Sequence, residues 1–212
     1  MDANPLHKLR VAKADFLVSA TQPAHFPPPL LPEAAFVGRS NVGKSSLLNV
    51  LTGKTKLARV SRTPGRTRLI NFFEVELYSG LKKYDLRLVD LPGYGYAKVS
   101  KTESANLQKM LSCYLQRGPC LQLVVWLIDA KVGLTAVDMQ ILELLEESSA
   151  RLLLVATKTD KLSKTQRKVQ LEHIARSLEL PSEAVFAVSA KEKWGLWPVW
   201  EHILQSLTFP QK

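Results

Sequence analysis

The chain is poor in cysteine, histidine and acidic residues, and it has no long apolar run. Its two cysteines, Cys113 and Cys120, are too few for a disulfide framework or a structural zinc site. Both are expected to act as small buried hydrophobes. His7, His25, His173 and His202 have no metal-ligand spacing. No apolar stretch approaches the roughly 20 residues of a membrane-spanning helix. Residues 1–10 are polar, where a secretory signal would need an apolar core. These absences point to the cytoplasm and away from membranes. There is no internal repeat, and 212 residues leave room for one domain with short additions. The last shortage is of negative charge: 19 Asp and Glu face 29 Lys and Arg, a net charge of +10. Such an excess either aids solubility or meets a large polyanion, and its distribution must decide between them.

What is present centres on Gly38-Arg39-Ser40-Asn41-Val42-Gly43-Lys44-Ser45, which matches the phosphate-binding pattern G-x-x-x-x-G-K-[ST]. Glycines let successive N–H groups turn inward to phosphate oxygens. Lys44 then reaches the terminal phosphates, and the Ser45 hydroxyl is suited to Mg²⁺. Residues 34–37 read as a buried strand before the loop, and residues 45–51 as a helix after it, ended by Gly53. That order is the context the motif requires.

Four further stretches narrow the chemistry. Asp90-Leu91-Pro92-Gly93 follows an apolar strand, where the carboxylate can meet Mg²⁺ through water and the Gly93 N–H can meet a γ-phosphate. Thr67 sits in a basic loop, where its hydroxyl could complete a Mg²⁺ shell only with a triphosphate. Thr157-Lys158-Thr159-Asp160 ends another strand. An Asp carboxylate, an acceptor only, pairs with the N1–H and amine of guanine and is opposed by the lone pair of adenine. Ser189-Ala190-Lys191, after the last strand ends at Val188, offers a backbone N–H to the guanine carbonyl. All stand at strand ends, where open α/β sheets bind ligands. Together they point to GTP.

Along the chain, residues 1–32 read as an extension, its second half stiffened by Pro23, Pro27, Pro28, Pro29 and Pro32 and expected to pack loosely. Residues 33–209 form the expected nucleotide-binding domain, and 210–212 a tail. Residues 69–77 and 84–91 are expected as a hairpin around Ser79-Gly80, too close for a crossover helix. Helices are expected after three capping patterns: Ser100 with Glu103, Thr135 with Asp138, and Ser163 with Gln166. The second should turn Val137, Ile141, Leu144 and Leu145 inward. Apolar strands at 121–128, 152–156 and 185–188 alternate with these helices, and a last helix covers 197–207. This implies an α/β fold with a mostly parallel sheet and helices on both faces. Trp194, Trp197 and Trp200 are read as one apolar face docked on that sheet rather than as base-stacking residues.

The sequence resembles the EngB/YsxC group of small bacterial GTPases over nearly its whole length. The resemblance is carried by residues 32–46, by Thr63-Pro64-Gly65-Arg66-Thr67, by Asp90-Leu91-Pro92-Gly93-Tyr94-Gly95-Tyr96 and by the 157–160 box, which opens with threonine as in that group. It implies a Ras-like P-loop GTPase fold: a six-stranded sheet with one antiparallel strand, ringed by five helices. It implies Mg²⁺ ligation by Ser45 and Thr67, and switch contacts from Gly65, Arg66, Thr67, Arg68 and Leu69. It also implies a role in assembling the large ribosomal subunit. Tyr94 stands where many GTPases place a water-orienting glutamine, and a phenol lacks that amide's paired donor and acceptor. Unassisted hydrolysis should be slow, resting on Lys44, Thr67, Gly93 and a monovalent cation such as K⁺ held by Asn41. The plain alternative is that Asn41 suits the loop's turn conformation. The partner is expected to be the large subunit or its precursor RNA, met by the basic stretch 54–68. That stretch holds Lys54, Lys56, Arg59, Arg62, Arg66 and Arg68 without a carboxylate. A monomer is expected. The alternatives are a GTPase serving another RNA-related or division-linked process, and a binding module with little turnover.

Overall fold

The computed structural model describes residues 9–58, 69–95 and 101–207, apart from the side chains of 101–104. Seven strands form one sheet: β1 (Leu9–Ala20), β2 (Glu33–Gly38), β3 (Ile70–Ser79), β4 (Lys82–Asp90), β5 (Leu121–Asp129), β6 (Arg151–Thr157) and β7 (Val185–Ala187). Their order across it is β1-β3-β4-β2-β5-β6-β7. The strand β3 runs antiparallel to both its neighbours, while β4, β2, β5, β6 and β7 pair in parallel. Five helices connect them: α1 (Lys44–Thr52), α2 (Lys101–Leu115), α3 (Ala136–Glu146), α4 (Lys164–Ser177) and α5 (Leu196–Ser206).

Side chains alternate across the sheet, so each central strand feeds two cores. In β2, Ala35 and Val37 join the layer beneath α2, α3 and α4, while Ala34 and Phe36 join the layer beneath α1 and α5. Trp126 and Tyr114 fill the first layer, and Leu47, Leu48 and Trp200 the second. The hairpin closes through Gly80-Leu81, with Ser79 opposite Lys82.

The seventh strand is the main addition to the expected sheet. Residues 9–20 pair with β3 along the sheet edge, with register shifts at Val11/Lys13 and Phe16/Val18. Those shifts break the period-2 alternation that would have revealed a strand. Nor is the proline-rich stretch loose. Arg87 Nη1 donates to the Pro28 carbonyl at 2.6 Å, and the Arg117 guanidinium donates to the Pro27 carbonyl. Arg117 also lies over the Phe26, Phe72 and Tyr114 rings. Both arginines face buried Glu33, Arg117 at 3.2 Å and Arg87 at 3.5 Å, and Tyr114 donates to Glu33 at 2.9 Å.

Three smaller expectations change. Val137 is exposed: it shares the face of Ile141, one turn further on, but it stands in the first turn of α3 and joins neither core cluster. Cys113 is exposed on α2, and only Cys120 is buried. Of the tryptophans, Trp200 is buried with its Nε1 donating to the Leu51 carbonyl at 3.1 Å, as a docked face requires. Trp194 precedes α5 and lies instead beneath the Arg167 guanidinium, 4.4 Å from the ring centre. Ser100 lies outside the described residues.

Candidate nucleotide site

The C-terminal ends of β2, β4, β5, β6 and β7 share one edge of the sheet, and each ends in a residue or turn that bonds to another. The loop from Gly38 to Ser45 leaves β2 and enters α1. Gly43 has φ 108°, which a side chain rarely adopts, and it delivers Lys44 and Ser45 to the first turn of α1. Asn41 has φ 63° and is exposed, which fits the turn-forming habit of asparagine. Arg39 pairs with Tyr94 in a short bridge, and the Ser40 N–H donates to the Tyr94 carbonyl at 3.0 Å. The loop is thereby registered against the segment that follows β4.

That segment approaches closely. A Cβ on Gly93 would stand 2.9 Å from Ser40 Oγ and 3.1 Å from the Ser40 Cα and N, so only glycine fits there. Leu91, Pro92 and Gly93 are buried. Asp90, 2% exposed at the end of β4, takes the Lys44 ammonium directly.

The guanine-type box is tied to the same loop. Thr157 Oγ1 donates to the Val42 carbonyl at 2.6 Å. Lys158 lays its stem across Gly43, donates to the Asn41 carbonyl, and meets Asp129 Oδ2 at 2.7 Å. Thr159 is buried, with its hydroxyl on the Val188 carbonyl at 2.8 Å. Asp160 is oriented by the Ser189 hydroxyl, which donates to its Oδ1 at 2.6 Å. Val188 and Ser189 are buried, and Ala190 is half-buried. Thus 38–45, 90–93, 157–160 and 188–190 converge. Leu69 is described and half-buried. Gly65, Arg66, Thr67 and Arg68 lie outside the described residues, as do Arg59 and Arg62. The start of the basic stretch is anchored: the Asn49 amide exchanges two hydrogen bonds with Ala58, at 2.8 and 2.9 Å.

Two contributors were not anticipated as such. Asp129 fixes Lys158 from the end of β5, and its position directly after a continuous apolar strand was the available signal. Asp138 was expected only as a helix cap. It does accept from the Thr135 N–H at 2.8 Å and hydroxyl at 2.6 Å, but it also accepts from the Tyr94 hydroxyl at 2.8 Å and faces Arg39 at 3.5 Å. Trp126 Nε1 donates to the same Tyr94 oxygen at 2.8 Å. Burial, assisted by the nearby Asp138 charge, holds the phenol well above its ordinary pKa, and it stays protonated. Tyr94 therefore anchors its segment to α3 and turns its hydroxyl into the core.

The donors near the loop suit a hard divalent cation. Ser45 offers a hydroxyl at the first turn of α1, and Asp90 a carboxylate that meets the adjacent Lys44, the oxygen chemistry Mg²⁺ takes when phosphates complete its shell. Among the described residues no helix is long and apolar enough to cross a membrane.

The family model described as "50S ribosome-binding GTPase" matches residues 33–158. A protein of Myxococcus xanthus (strain DK1622) named "Probable GTP-binding protein EngB" is 44% identical over 198 residues, 93% of this chain and 96% of that one. The chain belongs to the EngB family of GTP-binding proteins. Its EngB fold recurs in solved structures. A crystal structure of a probable GTP-binding protein engB matches with TM-score 0.63 and 23% identity, over 82% of this chain and 98% of that one. Era in complex with MgGDPNP and nucleotides 1506–1542 of 16S ribosomal RNA matches with TM-score 0.69 and 23% identity, over 85% of this chain and 58% of that one. At these identities the likeness concerns fold, and it agrees with the mostly parallel sheet described above.

Proposed function

We propose that this EngB-family chain is a GTP-hydrolysing switch that assists assembly of the large ribosomal subunit. The observation that carries the reading is the mutual bonding of loop 38–45 with both 90–94 and 157–160. Ser40 to Tyr94, Thr157 to Val42 and Lys158 to Asn41 hold the phosphate and base ends in one register. In this reading the loop of Gly38, Arg39, Ser40, Asn41, Val42 and Gly43 wraps the phosphates at the head of α1; the Ser40 and Val42 N–H groups hold the loop's shape, and those of Asn41 and Gly43 meet phosphate oxygens. Lys44 neutralises the terminal phosphates, and Asp160 selects guanine with Val188, Ser189 and Ala190 beside it. Ser45 and Thr67 hold Mg²⁺, which supplies charge neutralisation at the phosphates. Gly93 and the segment Gly65–Leu69 sense the γ-phosphate, with Leu91 and Pro92 shaping the turn.

Hydrolysis is slow in this account. Tyr94 is committed to Asp138 and Trp126 and cannot orient an attacking water. In this reading the exposed Asn41 lends its side-chain carbonyl to K⁺ at the loop tip. The ribosomal part of the reading draws on the family description and on the carboxylate-free stretch 54–68, with its six cations. Era, a fold neighbour, is solved with ribosomal RNA. The test is co-sedimentation with large subunits in a non-hydrolysable GTP analogue and in GDP, across a salt series. Tighter, salt-sensitive binding in the analogue supports the switch, and equal binding in both nucleotides refutes it.

A further inference from the structure

The positive charge of this chain is not confined to residues 54–68. Lys161, in the turn just before α4, and Lys164 and Lys168 along its start are all exposed. Lys191 and Lys193 are exposed in the loop after β7. Arg167 joins the two segments by stacking its guanidinium on Trp194 of that loop, 4.4 Å from the ring centre. The acids nearby are committed: Glu172 stands 3.9 Å from Lys168, Glu192 lies 3.1 Å from Lys191, and Asp160 is turned to Ser189.

Folding alone does not favour this arrangement. The first turn of α4 carries Lys164 and Arg167 and no acid, although cations at a helix N-terminus oppose its dipole. The capping box takes neutral Gln166 where glutamate would suit that dipole. Lys164 and Lys168 stand one turn apart, a like-charge spacing that destabilises a helix. Among the described residues, the Arg167 guanidinium makes no hydrogen bond, and its Nε is buried without a partner. A face that works against its own helix in four ways is accounted for by an external polyanion.

We infer that the start of α4 and the loop after β7 form a second docking surface, which holds the phosphate backbone of RNA in either nucleotide state. The inference rests on the ribosomal reading above. Three arguments favour RNA. The cations are spread over two elements as a backbone track needs, a planar Arg–Trp stack is at hand, and the family model is described as ribosome-binding. Independence from the nucleotide follows from how the surface is held. The Ser163–Gln166 box caps α4, and Ser189 and Trp194 exchange backbone hydrogen bonds at 3.1 and 3.2 Å, so among the described residues these bonds hold the surface without 54–58 or 90–94. The stretch 54–68 would then modulate an attachment that this face maintains.

The test measures binding of the full chain to protein-free large-subunit ribosomal RNA over a KCl series, in GDP and in a non-hydrolysable GTP analogue. Three forms are compared: the parent, the triple variant Lys161→Gln, Lys164→Gln, Lys168→Gln, and a charge-matched control, Lys13→Gln, Lys82→Gln, Lys83→Gln, on the β1–β3–β4 side. Unchanged GDP affinity and melting temperature verify that both variants fold. The α4 triple should lower the slope of log K against log salt by about 2–3, since each neutralised contact removes about 0.7–0.9. The loss should be equal in both nucleotide states, and the control should match the parent. Equal slopes in all three forms overturn the inference, as does an equal loss in the control, which would mean diffuse charge. So does a loss confined to the GTP analogue, or a loss on intact subunits but not on bare RNA, which would point to an acidic ribosomal protein. If the parent itself binds equally in both states while the α4 effect persists, the switch reading fails and this surface stands.

Discussion

Tyr94 occupies the position where a water-orienting glutamine is common, and its hydroxyl is instead the hub of a buried network. Tyr94→Phe removes one oxygen and leaves two partners behind: Asp138 Oδ1 and Trp126 Nε1, each at 2.8 Å and each at most 1% exposed. An unsatisfied buried polar group costs about 1–3 kcal/mol. Asp138 keeps the Thr135 hydroxyl and Arg39, so its share falls toward the lower end. The sum is about 2–4 kcal/mol, or a fall of roughly 6–12 °C in melting temperature for a chain of this size. Guanidinium unfolding followed by tryptophan emission gives the first quantity, and single-turnover GTP hydrolysis below the transition gives the second readout. The expected result is lost stability with hydrolysis per folded molecule unchanged. Parent-like stability with a large drop in hydrolysis would place the phenol at the reacting phosphate and refute the reasoning.

Glu33→Gln should cost about 3 kcal/mol in denaturant unfolding, because Arg87 and Arg117 lose their shared buried carboxylate. Burial, offset in part by Arg117, Tyr114 and Arg87, raises the Glu33 pKa above its ordinary 4.5. The folded chain then holds more protons than the unfolded one above pH 4.5. This group's contribution is full below that pH and fades as pH rises through the raised value, a decline that the glutamine variant should lack. Gly93→Ala forces a Cβ to 3.1 Å from the Ser40 backbone, an overpacking worth about 1–3 kcal/mol; a GTP analogue should lose more affinity than GDP by titration calorimetry. Asn41→Ala should abolish any stimulation of turnover by KCl over NaCl while keeping GTP binding; equal parent rates in the two salts reject a K⁺ role.

The central sheet and the site were legible because their signals are local. A strand, the loop 38–45 and a helix lie within 20 consecutive residues, and Asp90, Thr157 and Val188 each close an apolar strand or its extension. What escaped depends on distance along the chain or on irregular register. The bulges of β1 hide its alternation. Glu33 meets Arg87, Tyr114 and Arg117, partners 54 or more positions away that no short pattern links. Asp138 looked like a cap and is one, but its second role needs Tyr94 folded 44 residues back onto it. Val137 was assigned inward from its helical spacing with Ile141, Leu144 and Leu145, but spacing does not tell that the first turn of α3 lies at the rim of the core.

The central claim is that guanine is selected at Asp160, whose carboxylate is aimed by Ser189 at the end of β7. Asp160→Asn keeps a hydrogen-bond acceptor for Ser189 but sets an amide donor against the N1–H and amine of guanine. Each lost charge-assisted hydrogen bond is worth about 1.5–3 kcal/mol. The direct measurement is equilibrium binding of GDP and of xanthosine diphosphate to the parent and to Asp160→Asn. The account predicts that the variant loses GDP affinity by at least about 100-fold and gains affinity for the xanthine nucleotide, inverting the parent's preference. Unchanged GDP affinity in the variant would contradict the placement of the base and the reading built on it.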